Sequence, residues 1–339
     1  MPRRSFIKKP PDTKSVVLLA LVAAVLLVTY IVKPGSFTAG NANQILLVIS
    51  YLGIMGVGVS FLLISGGIDF AAAAHATCSM LVFTEVTRIA PALPAIIPFL
   101  AALAFGALAG AVNAALVEGL SMTSFIATIG MASVWNGVVM WYTKGGTLAL
   151  ANDSIIGLTM AKIGRTPVPW VFVFVAALLA VYSTVLNRTR FGRSVLMIGG
   201  NAGAARLAGL NPAKIRTMLY INTGALSAVC GVVFLSLSRA FVPKGLTQNT
   251  PELTALTATI LGGVSFMGGA GKLSGAFLGI ILIQVLSYAL QILSLPLWIV
   301  TVVNGLLLLI ALLTDAIAAK GRYALKSKSH APKAEQTEM

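Results

Sequence analysis

The sequence predicts an all-α integral membrane protein with about ten transmembrane helices, some of them broken, and two short cytoplasmic helices. Of its 339 residues 58% are hydrophobic and only 10% are charged, and the mean hydropathy is +0.93. A soluble domain carries about a quarter charged residues, because its surface must meet water. Apolar segments of about 20 residues, the length that crosses the hydrocarbon core of a bilayer, recur along the whole chain. One membrane domain therefore accounts for the chain.

Ten apolar segments follow one another, and each is a predicted span. Their approximate bounds are 16–32, 43–64, 69–87, 93–117, 123–143, 168–187, 217–238, 253–266, 273–293 and 297–314. No small-residue cleavage site follows the first segment, so we expect it to remain as a membrane helix. The predicted organisation is a basic N-terminal tail at 1–15, a transmembrane domain at 16–315 and a basic C-terminal tail at 316–339.

The basic residues are distributed unequally between the two sides of the membrane. The net charge is +15, with 24 Lys and Arg residues. With the N-terminus inside, 17 of these 24 fall on the cytoplasmic side and 7 fall outside. This is the positive-inside pattern, and it predicts that both termini are cytoplasmic in an inner-membrane protein. The basic excess therefore sets the orientation, and nucleic acid is not an expected partner.

Glycine patterns indicate how the spans are used. Gly106 and Gly110, four residues apart, are typical of close helix packing in lipid. Two stretches, 65–69 and 261–271, interrupt apolar runs with Gly-Gly pairs. Irregular backbone at membrane depth is tolerated only beside protein or a water-filled path, and transporters use broken helices at their substrate route. Two tight cytoplasmic turns are the alternative interpretation.

Polar side chains inside the spans are few, and each is a candidate for a solute path because such groups are costly in lipid. The candidate path residues are Asp69, Asn113, Thr128, Asn136, Gln284 and Asn304. Amide and hydroxyl groups suit a hydroxylated solute and need no charged partner. The alternative role of Asp69 is to cap the N-terminus of the third span. The alternative role of the neutral residues is to form hydrogen bonds between helices. Whether Asp69 or His75 contacts solute stays open.

The remaining reactive groups indicate no catalytic or metal site. Glu85 and Arg88 are three residues apart, as in a local ion pair, whereas Glu118 and Asp315 are expected to be solvated at helix ends. Residues 266–273 lack the first glycine and the Ser or Thr of a phosphate-binding loop. The two histidines are too few for a metal cluster, and the two cysteines lie in separate spans as packing residues. We therefore expect no enzymatic activity in this chain.

Residues 188–216 form a long predicted cytoplasmic loop with six basic residues and no acidic one. Asn201 is a typical N-cap for a short Ala-rich helix, and Gly209 stands where a left-handed residue would end it. Asn211 followed by Pro212 supplies a second helix start. The pattern predicts two short capped helices, which favours docking into another protein. Basic helices that only rest on anionic headgroups are the alternative.

The same loop carries a family signature. Its segments 191–193 and 198–209 resemble the coupling loop of bacterial sugar ABC-importer permeases, the ribose, galactose and xylose type, which are type II importer-like membrane subunits. The resemblance covers roughly residues 40–315. Four more stretches agree in family order: 65–69, 124–130, 252–253, and 261–263 with 268–269. After Asp69 the family usually reads Leu-Ser-Val-Gly, whereas this chain reads Phe-Ala-Ala-Ala-Ala-His.

The resemblance implies a membrane subunit that translocates a sugar or polyol-like solute by ATP-driven alternating access. A separate ATP-binding ABC subunit would use ATP and magnesium, so this chain would bind no cofactor. That subunit would dock on the coupling loop, at Gly192, Arg193, Gly200, Asn201, Ala205, Arg206 and Gly209. The other implied partners are a periplasmic solute-binding protein, a second permease subunit in a homo- or heterodimer, and membrane lipid.

Two other functions stay open at this point. A related permease for amino acids or nucleosides would share the whole pattern and differ in what its periplasmic protein binds. An ion-coupled secondary carrier would need no ATPase, but the spans hold few carboxylates to carry coupling ions. The sequence does not specify the solute, the choice between homodimer and heterodimer, or the resting conformation.

Overall fold

The computed structural model describes residues 13–150, 157 and 159–329. A π-helical turn (Ala115–Gly119) extends helix α4 (Ile96–Ala114), and strand β1 (Leu148–Ala149) pairs antiparallel with β2 (Ala240–Phe241). Residues 1–12 and 330–339 of the two predicted tails lie outside the described residues. The α-helices in this part of the chain are α1 (Thr13–Val32), α2 (Ala39–Ile64), α3 (Ala72–Ile89), α4 (Ile96–Ala114), α5 (Ser124–Thr143), α6 (Trp170–Arg188), α7 (Arg190–Gly200), α8 (Ala202–Leu207), α9 (Pro212–Ser238), α10 (Pro251–Leu261), α11 (Leu273–Ile292) and α12 (Leu297–Ser329).

Each of the ten predicted spans is a helix, which confirms the all-α membrane class. Of the described helices, eight are long and apolar enough to cross a membrane by length and composition: α1, α2, α4 with its π-helical turn, α5, α6, α9, α11 and α12. α3 is too polar for this set, because it carries Glu85, Arg88 and several threonines. α10 has 11 residues. At about 1.5 Å per residue it spans about half of the hydrocarbon core, as the Gly-Gly break after it predicts.

α2 is the centre of the bundle. In its most apolar window 83% of the residues are buried, and the helix packs against α6, α9, α10 and α11. The corresponding share is 17% or less for α1, α5, α6 and α12. These four helices present large apolar side chains outward, as lipid-facing helices do. α12 also continues to Ser329, well beyond the predicted end of the last span at 314.

Close helix packing depends on glycine, as the sequence predicts. Where α4 crosses α9, a Cβ atom on Gly106 would lie 2.5 Å from the carbonyl oxygen of Gly224. A Cβ atom on Gly110 would overlap the carbonyl group of Tyr220. Glycines of α2 and α11 are enclosed in the same way: Gly53, Gly56, Gly58, Gly275 and Gly279. At Gly53 and Gly56 the neighbours are side chains, of Phe277 and Val175 and of Ile280, whereas at the other positions the backbone of the adjacent helix or turn lies directly against the glycine.

The Gly110→Ala variant is expected to destabilise the bundle, because the added methyl group would force α4 and α9 apart. Overpacking of this kind costs about 1–3 kcal/mol. Gly130→Ala in α5 is the matched control, since a Cβ atom there meets nothing within 4 Å. The melting temperature of the detergent-solubilised protein should fall for Gly110→Ala and hold or rise for Gly130→Ala. Equal melting temperatures would contradict the packing described.

Two local predictions are confirmed. Glu85 and Arg88 form an ion pair, with 2.6 Å between Oε2 and Nη2. Cys78 and Cys230 are free thiols buried in α3 and α9, as expected of packing residues. Neither pair of residues indicates a reactive site.

Two expectations for acidic residues at helix ends are wrong. The Glu118 carboxylate lies 3.5 Å from Nη1 of Arg216, and only 12% of its side chain is exposed. The Asp315 carboxylate accepts a hydrogen bond from the backbone N–H of Phe266 at 2.9 Å. Neither side chain is simply solvated, because an arginine from α9 and a free N–H group of the α10–α11 loop reach them.

Candidate functional site

A cavity of about 480 Å³ lies between α2, α10, α11 and α12. No charged side chain is found among the described residues that line it. A cavity of this kind can hold a small polar solute by hydrogen bonds but offers no opposite charge to an ionised one. Its polar lining consists of neutral amide and hydroxyl groups, from Tyr51, Gln248, Thr250, Thr254, Thr257, Gln284, Ser287, Gln291, Thr301 and Asn304.

Helical periodicity brings these groups together. Gln284, Ser287 and Gln291 are three and four residues apart in α11, so they share one face of that helix. Thr301 and Asn304 likewise share a face of α12. Two predicted path residues, Gln284 and Asn304, thus line this cavity. Ser287 and Thr301 were missed, although their three-residue spacing to Gln284 and Asn304 could have indicated them. Thr250, Thr254 and Thr257 were also missed, and no predicted path residue lies near them in the sequence.

A second, smaller cavity holds another predicted path residue. Asn136 lines a space of about 280 Å³ together with Lys244 and Thr247. Gln248 lines both cavities, so the two spaces are neighbours. Asn136 is therefore close to the larger cavity but does not line it.

The three other path candidates meet in a buried polar cluster outside both cavities. Oδ1 of Asp69 accepts hydrogen bonds from the backbone N–H of Ala71 at 2.9 Å and from Nδ2 of Asn113 at 3.0 Å. Oδ2 of Asp69 lies 3.7 Å from Nδ1 of His75. The Thr128 hydroxyl accepts a bond from the N–H of the residue that follows Asp69, at 3.1 Å. Asp69, His75, Asn113 and Thr128 are all buried.

This cluster, Asp69, His75, Asn113 and Thr128, braces the Gly-Gly break after α2 against α4 and α5. The N-cap residue of α3 is Ala71, and it makes no side-chain cap bond. Asp69 therefore holds the turn that precedes α3 rather than capping the helix itself. Solute contact by Asp69, Asn113 and Thr128 stays a prediction, because these side chains line neither cavity.

The coupling segment, which we define as α7 and α8 with Gly209, is built from local caps. Oδ1 of Asn201 accepts from the N–H of Ala204 at 3.0 Å, which starts α8. Gly209 has φ +81°, the left-handed conformation predicted for it. Asn211 accepts from the N–H of Lys214 at 3.0 Å and starts the next helix. All three predicted signals are confirmed.

One detail of the prediction is wrong. The helix that begins at Pro212 is not short but is the first turn of α9, which continues to Ser238. The second short helix is instead α7, which begins at the Thr189 N-cap and ends at Gly200. The caps identify where helices start, but an apolar segment follows Pro212 without a break, so the helix continues into the membrane span.

The coupling segment has a buried and an exposed side. Gly192 and Ala205 are buried, and a Cβ atom on Gly192 would overlap the backbone of Leu186. The exposed predicted residues are Arg193, Gly200, Asn201, Arg206 and Gly209. No sequence pattern indicated Leu207, which is 93% exposed beside Arg206. A basic surface with an apolar side chain at its tip is suited to docking on a protein partner.

A bundle of apolar helices that encloses a neutral polar cavity, with a capped basic helix pair between two spans, defines a multi-pass membrane permease. The chain belongs to the family of ABC-importer permeases described as branched-chain amino acid transport system / permease component, whose model matches residues 41–312. It is a translocation subunit of the inner membrane.

Individual relatives agree with this assignment. The chain is 31% identical to the ribose import permease protein RbsC of Escherichia coli K12, over 88% of this chain and 92% of that protein. It is 30% identical to the L-arabinose transport system permease protein AraH of the same organism, over 92% of this chain and 91% of that protein. It is 38% identical to the autoinducer 2 import system permease protein LsrC of Klebsiella pneumoniae, over 62% of this chain and 60% of that protein. These relatives confirm the resemblance to sugar-type import permeases. No solved structure matches the chain.

Proposed function

We propose that this chain and a second permease subunit form the path by which a small, uncharged, polyhydroxylated solute of the sugar type enters the cell. The observation that carries the proposal is the cavity of about 480 Å³ with its neutral amide and hydroxyl lining. Small-molecule sites occupy about 300–1,000 Å³, so this volume suits a monosaccharide-sized solute. Amides and hydroxyls both donate and accept, as a solute with several hydroxyl groups requires.

An amino acid is a less suitable solute, although the family description mentions branched-chain amino acids. The ammonium and carboxylate groups of an amino acid would each need a charged or strongly polar partner. None of the described residues around the larger cavity is charged. The named solutes of the similar proteins, ribose, L-arabinose and autoinducer 2, also favour a polyhydroxylated solute.

The proposed partners follow from the importer class. A separate ATP-binding subunit docks on the coupling segment and uses ATP with magnesium, so this chain needs no cofactor of its own. A periplasmic solute-binding protein delivers the solute, and lipid surrounds the bundle. The exposed Arg193, Arg206 and Leu207 support the docking surface.

The deciding experiment is uptake by proteoliposomes that contain the permease, its ATP-binding subunit and the periplasmic protein. Uptake of radiolabelled ribose or L-arabinose should require ATP on the side of the ATP-binding subunit and should not be competed by leucine. Uptake of leucine in place of the sugars would favour the amino-acid alternative. Uptake driven by an ion gradient without the ATP-binding subunit would refute the importer mechanism.

Variants of the cavity lining test the proposed path. Gln284→Leu and Asn304→Leu are each expected to lower the uptake rate about tenfold, because a lost hydrogen bond to solute is worth about 0.5–1.5 kcal/mol and the unpaired solute group adds a further penalty. Thr184→Leu is the control, since Thr184 is exposed on α6 and bonds only within its own helix. Unchanged uptake in both cavity variants would remove this cavity from the path.

The proposed orientation has both termini in the cytoplasm. Single cysteines at Arg190 and Lys326 should then be protected from a membrane-impermeant thiol reagent in intact cells, whereas one at Lys162 should be labelled. The native Cys78 and Cys230 are buried and give a low background. Labelling at position 190 from outside would contradict the ten-helix topology.

A further inference from the structure

Three glycine-rich breaks that are far apart in the sequence meet at one place. Gly66 follows the end of α2, Gly199 lies in the last turn of α7, and Gly268 and Gly269 lie in the loop between α10 and α11. We name these four residues the glycine junction. The positive φ angles of Gly66 (+81°), Gly268 (+82°) and Gly269 (+73°) are ones that other residues adopt only with strain.

The backbones in the glycine junction touch with no side chain between them. The N–H of Gly269 donates a hydrogen bond to the carbonyl oxygen of Ile64 at 2.8 Å. A Cβ atom on Gly199 would overlap both of these groups. A Cβ atom on Gly268 would lie 2.9 Å from Cα of Gly66. The contact therefore exists only because these positions carry glycine.

Each segment in the contact leads to a different part of the molecule. Ile64 ends α2, whose Tyr51 lines the 480 Å³ cavity. The loop with Gly268 and Gly269 follows α10, whose Thr257 lines the same cavity. Gly199 belongs to α7, the first helix of the coupling segment. The glycine junction thus joins the coupling segment directly to two walls of the cavity.

Polar contacts brace the glycine junction on both sides. Nε of Arg216 in α9 donates to the carbonyl oxygen of Ser65 at 3.2 Å, while its guanidinium group pairs with Glu118. Asp315 in α12 accepts from the N–H of Phe266 at 2.9 Å, in the α10–α11 loop. α12 forms a third cavity wall. These bonds hold the turns beside the glycines in fixed positions.

We infer that the glycine junction makes α7 and the cytoplasmic ends of α2 and α10 move as one rigid body, so that displacement of the coupling segment reaches the cavity walls. This inference rests on the proposed function, in which a partner subunit moves that segment. A backbone-to-backbone contact has no side-chain rotamers that could absorb a displacement, and close-packed groups transmit strain. Gly66, Gly199, Gly268 and Gly269 are thus positioning residues for transport.

The first test uses a substitution that disrupts the contact between the coupling segment and the helices that form the cavity walls. The Gly199→Ala variant should still copurify with the ATP-binding subunit and hydrolyse ATP, but solute uptake per ATP hydrolysed should fall at least tenfold. Gly119→Ala is the matched control, a glycine at another helix end whose added Cβ atom would meet nothing within 4 Å. Its uptake per ATP should stay within twofold of the parent. Parent-like coupling in Gly199→Ala would overturn the inference.

The second test measures the rigid-body motion itself and applies even if Gly199→Ala fails to accumulate. One pair of spin labels is placed on Arg190→Cys and Met267→Cys, which lie on α7 and in the α10–α11 loop, two of the segments that the glycine junction joins. The reference pair is Arg190→Cys with Trp141→Cys. Met267 and Trp141 are 69% and 78% exposed, so labels fit at both. Between nucleotide-free and ATP-trapped complexes, the distance between the labels at positions 190 and 267 should stay constant, whereas the distance between those at positions 190 and 141 should change.

A change in the Arg190–Met267 distance as large as that in the reference pair would overturn the rigid-body inference. Failure of the proposed function has a different signature. In that case the unmodified chain would neither copurify with an ATP-binding subunit nor support ATP-dependent uptake, and no variant would be needed to see it.

Discussion

In the Arg206→Glu variant, the rate of solute-stimulated ATP hydrolysis is expected to fall at least tenfold while the membrane helices stay folded. Arg206 is exposed in the last turn of α8, and its neighbour Leu207 is the most exposed large apolar side chain of the coupling segment. Reversing a charge in a docked interface typically costs several kcal/mol, and each 1.4 kcal/mol is about tenfold in affinity. Leu207→Asp should act in the same direction, because it would bury a new charge on docking.

The backbone of the same segment supplies an independent variant with a matched control. Gly209 has φ +81°, which a β-branched valine adopts only with strain, whereas asparagine tolerates it. Gly209→Val should therefore displace α8 and weaken docking, and Gly209→Asn should behave like the parent. No atom would crowd a Cβ at this position, so steric overlap cannot explain a difference between the two variants.

The measurements are copurification of the ATP-binding subunit and ATP hydrolysis in the reconstituted complex, with circular dichroism as the check on folding. Arg206→Lys, which keeps the charge, should retain most of the activity. If Arg206→Glu, Leu207→Asp and Gly209→Val all bind and stimulate the ATP-binding subunit like the parent, the docking surface has been assigned to the wrong segment.

The Asp69→Leu variant is expected to accumulate poorly and to melt at a lower temperature. Asp69 accepts hydrogen bonds from Ala71 and Asn113 and is itself buried. Leucine would leave both donors buried without an acceptor, at a cost of about 1–3 kcal/mol for each. The turn after Gly66 and Gly67 would also lose its brace against α4.

Asp69→Asn is the informative companion variant, because its amide oxygen can still accept from both donors. It should accumulate nearly as well as the parent, and any loss of uptake would then report the loss of the carboxyl group that faces His75 rather than a change in the fold. The amount of protein in the membrane fraction and the uptake rate separate these outcomes. Normal accumulation of Asp69→Leu would contradict the bracing role, and normal uptake by Asp69→Asn would remove Asp69 from the solute path.

Features that depend on neighbouring residues were predictable from the sequence. The spans follow from hydropathy over windows of about 20 residues, and the caps at Asn201 and Asn211 follow from side chains that bond three residues ahead. The left-handed Gly209 was predictable for the same reason, since backbone sterics act within one residue. The spacing of Gly106 and Gly110 indicated close packing, but not that α9 is the partner helix.

The sequence by itself determined the membrane class, the order of the helices and the basic, capped character of the loop, because hydropathy, capping and charge are local properties. Only the tertiary structure decided that Gln284 and Asn304 share a cavity while Asp69 and Asn113 meet elsewhere. It alone brought Gly199 against the end of α2, more than a hundred residues away in the chain. Such contacts depend on which helices pack together, and in lipid that choice is made by the fit of small residues along whole helix faces, which no local pattern specifies.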